Sequence, residues 1–309
     1  MKSLIFTYLL TYGGSLVAVF NPYIGLLIYV LFAIVQPPVI WWYAVPVGNY
    51  ARIIAVALLV GWVLQNTGSW SFGKAKVSVW LLVGFLFWMV LSTLFAASPD
   101  RASYFLEIQA KIVLPFIVGM TLIDTPAKLK QLAWVIAIST GYLGYELNLQ
   151  WLDYPNRLYF HGFGALDNNG VAVTMVTGAA IAFFLGSEDD SIWRRWFAFI
   201  LAGLQVHVIL FSQSRGGMLA LVIMAGVCAI LLLIRPKVTR SLTYMGMALV
   251  IGMALAGPSV WERFNSIFVE PEERDASAVS RLELWTACYQ LMLEEPLFGV
   301  GPNHFPAYA

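Results

Sequence analysis

The sequence predicts an all-α polytopic membrane protein with about nine or ten transmembrane helices. Of its 309 residues, 60% are hydrophobic and 11% are charged, whereas soluble domains carry about 25% charged residues. Several apolar runs contain about 17 to 20 residues, which is enough for a helix to cross the hydrocarbon core of a bilayer. Basic residues recur between alternate runs, as a multi-pass topology requires.

The candidate spans follow one another without a repeat or a low-complexity segment. They cover residues 4–20, 22–35, 51–65, 79–97, 107–123, 129–149, 170–186, 195–212, 217–234 and 241–257. If Lys2 is cytoplasmic and the last stretch lies outside, an odd number of crossings must precede residue 258. The breaks at Asn21-Pro22 and 36-QPP-38 leave two interpretations open. In the first, segments 4–20 and 22–35 form one broken crossing. In the second, they cross separately and the N-terminus lies outside.

Positive charge divides unevenly between the two sides of the predicted membrane. Nine basic residues lie in four connections: Lys74, Lys76, Lys128, Lys130, Arg194, Arg195, Arg235, Lys237 and Arg240. The opposite side holds five over longer stretches: Arg52, Arg101, Lys111, Arg157 and Arg215. The positive-inside rule makes the first set cytoplasmic. The segments 153–169 and 212–217, and everything after residue 257, are therefore predicted to lie outside.

The pattern after residue 257 differs from the rest of the chain. We predict a transmembrane bundle over residues 1–257 and an outer loop over residues 258–309. Within the loop, residues 280–296 are amphipathic, with apolar residues at helical spacing: Leu282, Trp285, Tyr289 and Met292. Pro296 ends this pattern. We expect a helix that lies on or near the outer membrane surface.

Composition and motifs exclude several kinds of site. The net charge of +1 provides no footprint for nucleic acid. Cys228 and Cys288 show no metal or redox spacing. The sequence contains neither a phosphate-binding GxxxxGK[ST] loop nor an HExxH zinc pair. No pair of aspartates falls in the early outer loops, so we expect neither a metal nor another cofactor. An anionic diphosphate would then have to be neutralised by arginine.

Arg215, in 213-QSRGG-217, is the leading candidate for that role. A guanidinium is always charged and can bind phosphate oxygens through two parallel hydrogen bonds. Gly216 and Gly217 would let a headgroup approach the backbone at a helix N-terminus, and Ser212 and Ser214 would add hydroxyl donors. The alternative is a short loop whose arginine extends toward water. Because this charge lies on the side that is poor in basic residues, the binding interpretation is favoured.

Two further basic residues are weaker candidates for binding the same anion. Arg281 lies at the start of the amphipathic helix, where it could instead stack on Trp285. Lys111 lies near the predicted outer end of span 107–123 and is either a phosphate ligand or a side chain that extends to the interface. Asn168 and Asn169, which open the span at 170–186, are expected to cap its helix.

Three histidines could serve as a general base. His207 lies inside a span, His161 lies in the outer segment 153–169, and His304 lies in 299-GVGPNHF-305. None has a carboxylate at helical spacing to orient it. A structural role is therefore favoured for each, and His304 is retained as a weak catalytic candidate.

The chain resembles the O-antigen ligase superfamily, and in particular the exosortase-associated O-glycosylation ligases. The strongest match is 213-QSRGGMLAL-221, followed by an arginine-tryptophan helix and a proline-glycine turn in the same order. The resemblance runs through these stretches: 36-QPP-38, 50-YARIIAVALLVGWVL-64, 92-STLFAASPD-100, 110-AKIVLPF-116, 167-DNNGVAV-173, 262-ERFNSI-267, 275-DASAVSRLELWTA-287 and 296-PLFGVGPNHF-305.

This resemblance implies a GT-C-like helical bundle and an inner-membrane glycosyltransferase of lipopolysaccharide biosynthesis. Such enzymes are metal-independent and act on the periplasmic side. They move a glycan from undecaprenyl diphosphate to an acceptor, which is lipid A–core or a protein hydroxyl. Two arginines hold the diphosphate, and Arg215 and Arg281 match their positions. A histidine in the large periplasmic loop is the base.

The sequence departs from the family pattern at this base. In similar chains the base follows the turn that contains His304, before further spans. We therefore expect the 309-residue chain to be truncated relative to a functional ligase, with the base beyond its end. Two other functions stay open. One is an O-antigen or exopolysaccharide polymerase of the same superfamily, and the other is a transporter or flippase of lipid-linked anionic substrates.

Overall fold

The computed structural model of the chain is all-α. It describes residues 1–233, 243, 246 and 276–308, and within these ranges the strand-like geometry is limited to an isolated pairing of Phe163 with Leu166. The predicted all-α polytopic class is confirmed. The predicted span at 241–257, apart from two of its residues, and the polar stretch that follows it lie outside the described residues.

The helices follow the apolar runs of the sequence. In chain order they are α1 (Lys2–Tyr8), α2 (Gly14–Phe20), α3 (Pro22–Val35), α4 (Pro37–Ile40), α5 (Tyr50–Leu64), α6 (Lys76–Leu94), α7 (Pro99–Leu122), α8 (Pro126–Asp153), α9 (Arg157–His161), α10 (Asn168–Glu188), α11 (Ile192–Phe211), α12 (Arg215–Leu233) and α13 (Ala276–Glu294). A π-helical turn at Leu9–Gly13 joins α1 to α2.

Among the described residues, six helical stretches are long and apolar enough to cross a membrane. They are Lys2–Phe20, Pro22–Ile40, Gly73–Leu94, Pro99–Leu122, Asn168–Glu188 and Ile192–Phe211. Two apolar helices are shorter, α5 and the described start of α12. The predicted span at 129–149 lies within α8, which is 28 residues long. The chain is therefore a multi-pass membrane protein, and the total of nine or ten crossings stays a prediction.

The two N-terminal segments are separate helical stretches of 19 residues each. The break between them is at Asn21, whose Oδ1 accepts a hydrogen bond of 3.2 Å from the Ile24 amide. The break at Gln36 is a residue with φ of +48°, after which Pro37 starts the short α4. Because 19 residues can span the hydrocarbon core, each segment is long enough for its own crossing.

Helix α7 begins eight residues before the predicted span at 107–123, which is a correction to the sequence analysis. Pro99 occupies the first turn and Asp100 adds an acidic group there. Proline and acidic residues both suit a helix N-terminus. The charged residues after Pro99 were excluded from the predicted span because they are polar, although they continue the helix. As a result, Lys111 lies near the middle of a 24-residue helix and not at its end.

The chain divides into two compact units. The first contains Met1–Val17, Leu27–Val56 and the described residues from Thr125 to Leu233. The second contains Ala18–Leu26, Ala57–Asp124 and the described residues after 275. Each unit holds one of the two regions that the sequence singled out, namely Arg215 in the first and His304 in the second.

Close helix packing builds the core of the first unit, where α8, α10 and α11 contact one another. A Cβ added at Gly141 would lie 2.5 Å from Cδ2 of Leu201, and one added at Gly178 would overlap Gln205 and Thr140. Small residues let helix backbones approach in a membrane, where the hydrophobic effect does not drive helices together. Gly141 and Gly178 therefore allow α8, α10 and α11 to pack closely, and this packing sets the positions of the helix ends.

Basic residues from two predicted cytoplasmic connections meet at Asp189, between α10 and α11. Arg194 Nη2 lies 2.9 Å and Lys130 Nζ 3.7 Å from the carboxylate. The carboxylate is 2% exposed, and it also accepts a hydrogen bond from the Ser191 amide. This geometry places the two connections at the same end of the first unit, as the predicted topology requires.

We predict that Asp189→Asn lowers the free energy of unfolding by about 1–3 kcal/mol at neutral pH, the contribution of hydrogen bonds to a charged group. Burial alone would raise the pKa of Asp189, but the hydrogen bonds from Arg194 and Ser191, with the charges of Arg194 and Lys130, hold it below its ordinary value. A depressed native pKa stabilises the fold above the unfolded value, near 3.9, and this stabilisation is lost as pH falls through the native value.

The difference in free energy of unfolding between the wild type and Asp189→Asn should therefore become smaller below about pH 4. Unfolding of the purified protein in detergent at pH 7 and at acid pH provides the measurement. Asp190→Asn is the matched control, since Asp190 is exposed. Equal deficits for the two variants at pH 7 would contradict the prediction.

Candidate functional site

The connection between α11 and α12 is a tight, hydrogen-bonded turn. Gln213 adopts a φ of +54°. The Ser212 hydroxyl donates to the Ile209 carbonyl at 2.7 Å and accepts from the Ser214 amide at 3.2 Å. Ser212 and Ser214 are almost fully buried. The turn therefore sets the position and direction of Arg215, the first residue of α12.

Ser214 is the N-cap of α12. Its hydroxyl accepts a hydrogen bond of 3.0 Å from the Gly217 amide, and its carbonyl accepts one of 2.9 Å from the Met218 amide. The prediction that Ser212 and Ser214 offer hydroxyls to an anion is wrong, because both hydroxyls donate within the protein, to the Ile209 carbonyl and to Asn169. Arg215, which is half-buried, thus stands at the positive end of a capped helix.

The two glycines after Arg215 differ in their surroundings. A Cβ added at Gly217 would lie 2.5 Å from the Cβ of Ala172 in α10, whereas one added at Gly216 would meet only the Ser214 hydroxyl, at 4.0 Å. Gly217 is buried and Gly216 is exposed. The close contact between α10 and α12 therefore explains why position 217 is a glycine. The surroundings of Gly216 are open, and the approach of a headgroup there stays a prediction.

Polar residues at the start of α10 hold the turn in place. The Asn168 side chain donates to the Ser212 carbonyl at 3.0 Å, and the Ser214 hydroxyl donates to Oδ1 of Asn169 at 2.6 Å. The cap of α10 is Asp167, whose carboxylate accepts from an amide of the first turn at 2.7 Å. The expectation that Asn168 and Asn169 cap this helix was wrong, because their side chains point to the neighbouring turn.

The predicted outer segment 153–169 contacts this turn as well. Gln213 donates through Nε2 to the side-chain oxygen of Asn156 at 3.2 Å. The next residue, Arg157, donates to the side chain of Gln150 near the end of α8. Both predicted outer loops of the first unit therefore meet at one end, opposite to Asp189. Arg157, which is exposed, adds a second guanidinium to that end.

Sequence reasoning missed two polar pairs on the part of α8 that lies in the predicted span 129–149. The Tyr142 hydroxyl donates to the carboxylate of Glu146 and accepts from the Trp41 indole at 3.0 Å. His207 of α11 pairs with the Asn148 side chain. The available signal was polarity inside apolar runs, since such residues need partners in a membrane. The pairing with Asn148 agrees with a structural role for His207, because it gives the ring a polar partner.

Lys111 has a carboxylate partner on its own helix. Its Nζ lies 2.8 Å from Oε1 of Glu107, four residues earlier, and each side chain is about half exposed. The pair neutralises both charges in the middle of α7. Binding of a diphosphate by Lys111 stays a prediction.

His304 lies in a turn that packs on α6, within the second unit. The Trp88 indole donates to the Leu297 carbonyl at 2.9 Å, and the Ser92 hydroxyl donates to the Phe298 carbonyl at 2.6 Å. The Phe298 ring stacks on Phe95 with centroids 4.3 Å apart. The sequence 296-PLFGVGPNHF-305 therefore forms an ordered turn held by three side chains of one helical segment.

Both ring nitrogens of His304 are occupied within this turn. Nε2 lies 3.0 Å from the Ser98 amide and accepts its hydrogen bond, so the proton is on Nδ1, which donates to the Pro302 carbonyl at 2.9 Å. The ring is 3% exposed. A general base needs a free lone pair within reach of the substrate. These two hydrogen bonds agree with the structural role that the sequence favours for His304. Its weaker candidacy as a catalytic base stays a prediction.

Arg281 lies in α13, whose bounds confirm the predicted helix around 280–296. The side chain of Arg281 lies outside the described ones, so its pairing with Arg215 around a diphosphate stays a prediction. Further along the helix, Leu282, Trp285 and Tyr289 are between 53% and 69% exposed. This apolar surface agrees with an amphipathic helix, and its placement on the membrane stays a prediction.

Within the described ranges, no group of three or more histidine, cysteine, aspartate or glutamate side chains is arranged to hold a metal ion.

Comparison with known families gives two matches. Residues 197–309 match a family described as O-Antigen ligase, and residues 1–145 match a Family of unknown function (DUF5935). No curated protein and no solved structure matches the chain. The first match contains the turn before Arg215, the helix with Arg281 and the turn with His304. The chain is therefore a multi-pass membrane protein whose residues 197–309 belong to the O-antigen ligase family.

Proposed function

We propose that this membrane glycosyltransferase is a ligase that transfers a glycan from undecaprenyl diphosphate to an acceptor, which is lipid A–core or a protein hydroxyl. In this proposal it works at the periplasmic face of the bacterial inner membrane. The observation that carries the proposal is the position of Arg215, which starts the capped helix α12 at the end where the predicted outer segments of the first unit meet.

The chemistry of that position suits a diphosphate. A guanidinium keeps its charge at every relevant pH and can hold two phosphate oxygens at once. The start of α12 adds the positive end of a helix dipole. Gly216 has no side chain and is exposed, so a phosphate group can approach the backbone beside Arg215. These features combine charge, direction and space at one place.

In the transfer step, the acceptor hydroxyl oxygen forms a bond to the anomeric carbon of the first sugar. The bond between that carbon and the phosphate oxygen breaks, and the diphosphate leaves with the electron pair. The hydroxyl proton passes to a general base. Arg215 acts on the leaving group, because the negative charge on the diphosphate grows as the bond breaks and a fixed cation stabilises it.

The function is tested by deleting the gene in its own host. We expect the lipid-linked glycan to accumulate while the glycan on its final acceptor disappears, and we expect the chain length of the accumulated glycan to be normal. Electrophoresis of surface glycans and mass spectrometry of extracted lipid-linked intermediates provide the measurement. Accumulation of single repeat units would indicate a polymerase instead, and an unchanged glycan on the acceptor would contradict both activities.

A further inference from the structure

A groove opens beside α9, at the same end of the first unit as Arg215. It has a volume of about 260 Å³, and its walls are formed by residues 159–162 and 164–168. We name it the α9 groove. Sites for drug-sized ligands measure about 300–1,000 Å³, so the α9 groove suits a smaller group, the size of one substituted sugar ring.

The shape of the α9 groove is fixed by backbone geometry. Gly162 and Gly164 both have φ of +62°, a region that favours glycine. A Cβ at Gly162 would overlap the Leu166 carbonyl, and one at Gly164 would lie 2.6 Å from the Gln36 amide oxygen. Phe163 and Leu166 exchange backbone hydrogen bonds of 2.9 and 3.0 Å across the turn. The groove is therefore preformed.

The lining of the α9 groove combines rings with polar groups. Phe160 is 71% exposed and packs edge-on to Tyr159, with ring centroids 5.0 Å apart. Asp167 and Asn168 line the same groove, and so does the exposed ring of His161. Sugar rings have apolar C–H faces that pack on aromatic rings and hydroxyls that pair with carboxylates, amides and imidazoles. This combination of walls is complementary to a saccharide.

The α9 groove is joined directly to the turn that carries Arg215. Asn168, which lines the groove, donates to the Ser212 carbonyl, and its neighbour Asn169 accepts from the Ser214 hydroxyl. A ligand in the groove and an anion at Arg215 would therefore be held by one hydrogen-bonded framework. A glycan attached to a diphosphate presents these two chemistries next to each other.

We propose that the α9 groove is a saccharide subsite that holds one sugar unit of the glycan. The inference rests on the proposed function for the identity of the ligand, and it assigns recognition of the sugar to the aromatic and polar walls rather than to Arg215. Phe160 provides the stacking surface and His161 a hydrogen-bonding ring.

The test separates the sugar from the diphosphate. The full 309-residue chain in lipid nanodiscs is examined by saturation-transfer NMR with methyl glycosides of glucose, galactose, rhamnose and N-acetylglucosamine. Binding of a short-chain prenyl diphosphate without sugar is measured in parallel. Phe160→Ala and His161→Ala are the test variants. Trp193→Ala is the matched control, because Trp193 is 83% exposed at the Asp189 end of the same unit.

We expect saturation transfer to at least one glycoside in the wild type. We expect this signal to fall at least fivefold in Phe160→Ala and His161→Ala, and to stay unchanged in Trp193→Ala. Absence of saturation transfer to all four glycosides overturns the subsite. A Phe160 ring buried in lipid would give this result. A saturation-transfer signal that is unchanged in both Phe160→Ala and His161→Ala also overturns the subsite. If Arg215→Ala loses diphosphate binding but the wild type binds no sugar, the subsite alone is rejected. If the wild type binds sugar but Arg215→Ala binds the diphosphate normally, the result counts against the proposed function alone.

Discussion

Replacement of Arg215 by lysine is expected to reduce ligation in cells about a hundredfold or more, nearly as much as replacement by alanine. Removing one group that stabilises charge in a transition state costs on the order of 3 kcal/mol, which corresponds to this factor. Lysine keeps the positive charge but cannot form two parallel hydrogen bonds to phosphate oxygens. The measurement is the rate at which glycan appears on its acceptor after the variant gene is returned to the deletion strain.

Arg157→Lys and Arg157→Ala provide the matched control for these variants. Arg157 is an exposed arginine at the same end of the same unit, but it donates to Gln150 on α8 and does not start a long helix. We expect both Arg157 variants to keep most of the ligation rate. Near-normal ligation by Arg215→Lys would mean that position 215 supplies charge alone, and the bidentate interaction would then be rejected.

Replacement of Gly217 by alanine is expected to lower both stability and ligation, although alanine is the better helix former by about 1 kcal/mol. The added Cβ would lie 2.5 Å from the Cβ of Ala172, so α12 would have to move away from α10. That movement would strain the cap at Ser214 and displace Arg215. Overpacking of a tight contact costs about 1–3 kcal/mol. Thermal unfolding in detergent and the ligation rate in cells provide the two measurements.

The neighbouring glycine is the control for this effect. Gly216→Ala adds the same methyl group one residue earlier, where the nearest atom is 4.0 Å away, and we expect it to unfold at the wild-type temperature or above. Combining Gly217→Ala with Ala172→Gly removes the second methyl group from the contact and should restore much of the stability. Equal behaviour of Gly216→Ala and Gly217→Ala would show that the contact with Ala172 is unimportant.

The membrane fold could be predicted because its physical cause is visible in composition. Long apolar runs must become helices in lipid, since every backbone group needs an internal hydrogen bond there. Helix boundaries were harder to predict where charged residues continue a helix. Asp100 and Arg101 lie within α7, yet their polarity placed them outside the predicted span at 107–123. Hydropathy reports which residues favour lipid, whereas a helix begins where its first turn is capped.

The candidate site could be predicted in part. Arg215 was evident from sequence because a charge between two apolar runs needs an explanation, and the distribution of basic residues predicted its side of the membrane. The distinction between Gly216 and Gly217 could not be predicted, because it depends on Ala172, which is distant in the sequence. The same holds for Asn168, whose partner is the Ser212 carbonyl. Sequence spacing suggested local capping for Asn168 and a structural role without a named partner for His304, and both residues make long-range hydrogen bonds that hold turns.

The central claim is that Arg215 binds a diphosphate through a bidentate guanidinium. Its most direct test is the affinity of the purified chain in nanodiscs for a short-chain prenyl diphosphate, compared with the same prenyl monophosphate, in the wild type and in Arg215→Lys. We predict that the wild type prefers the diphosphate about tenfold or more and that the lysine variant loses this preference while keeping weak affinity for both lipids. A wild type that binds both lipids equally, or a lysine variant that keeps the preference, would contradict the account.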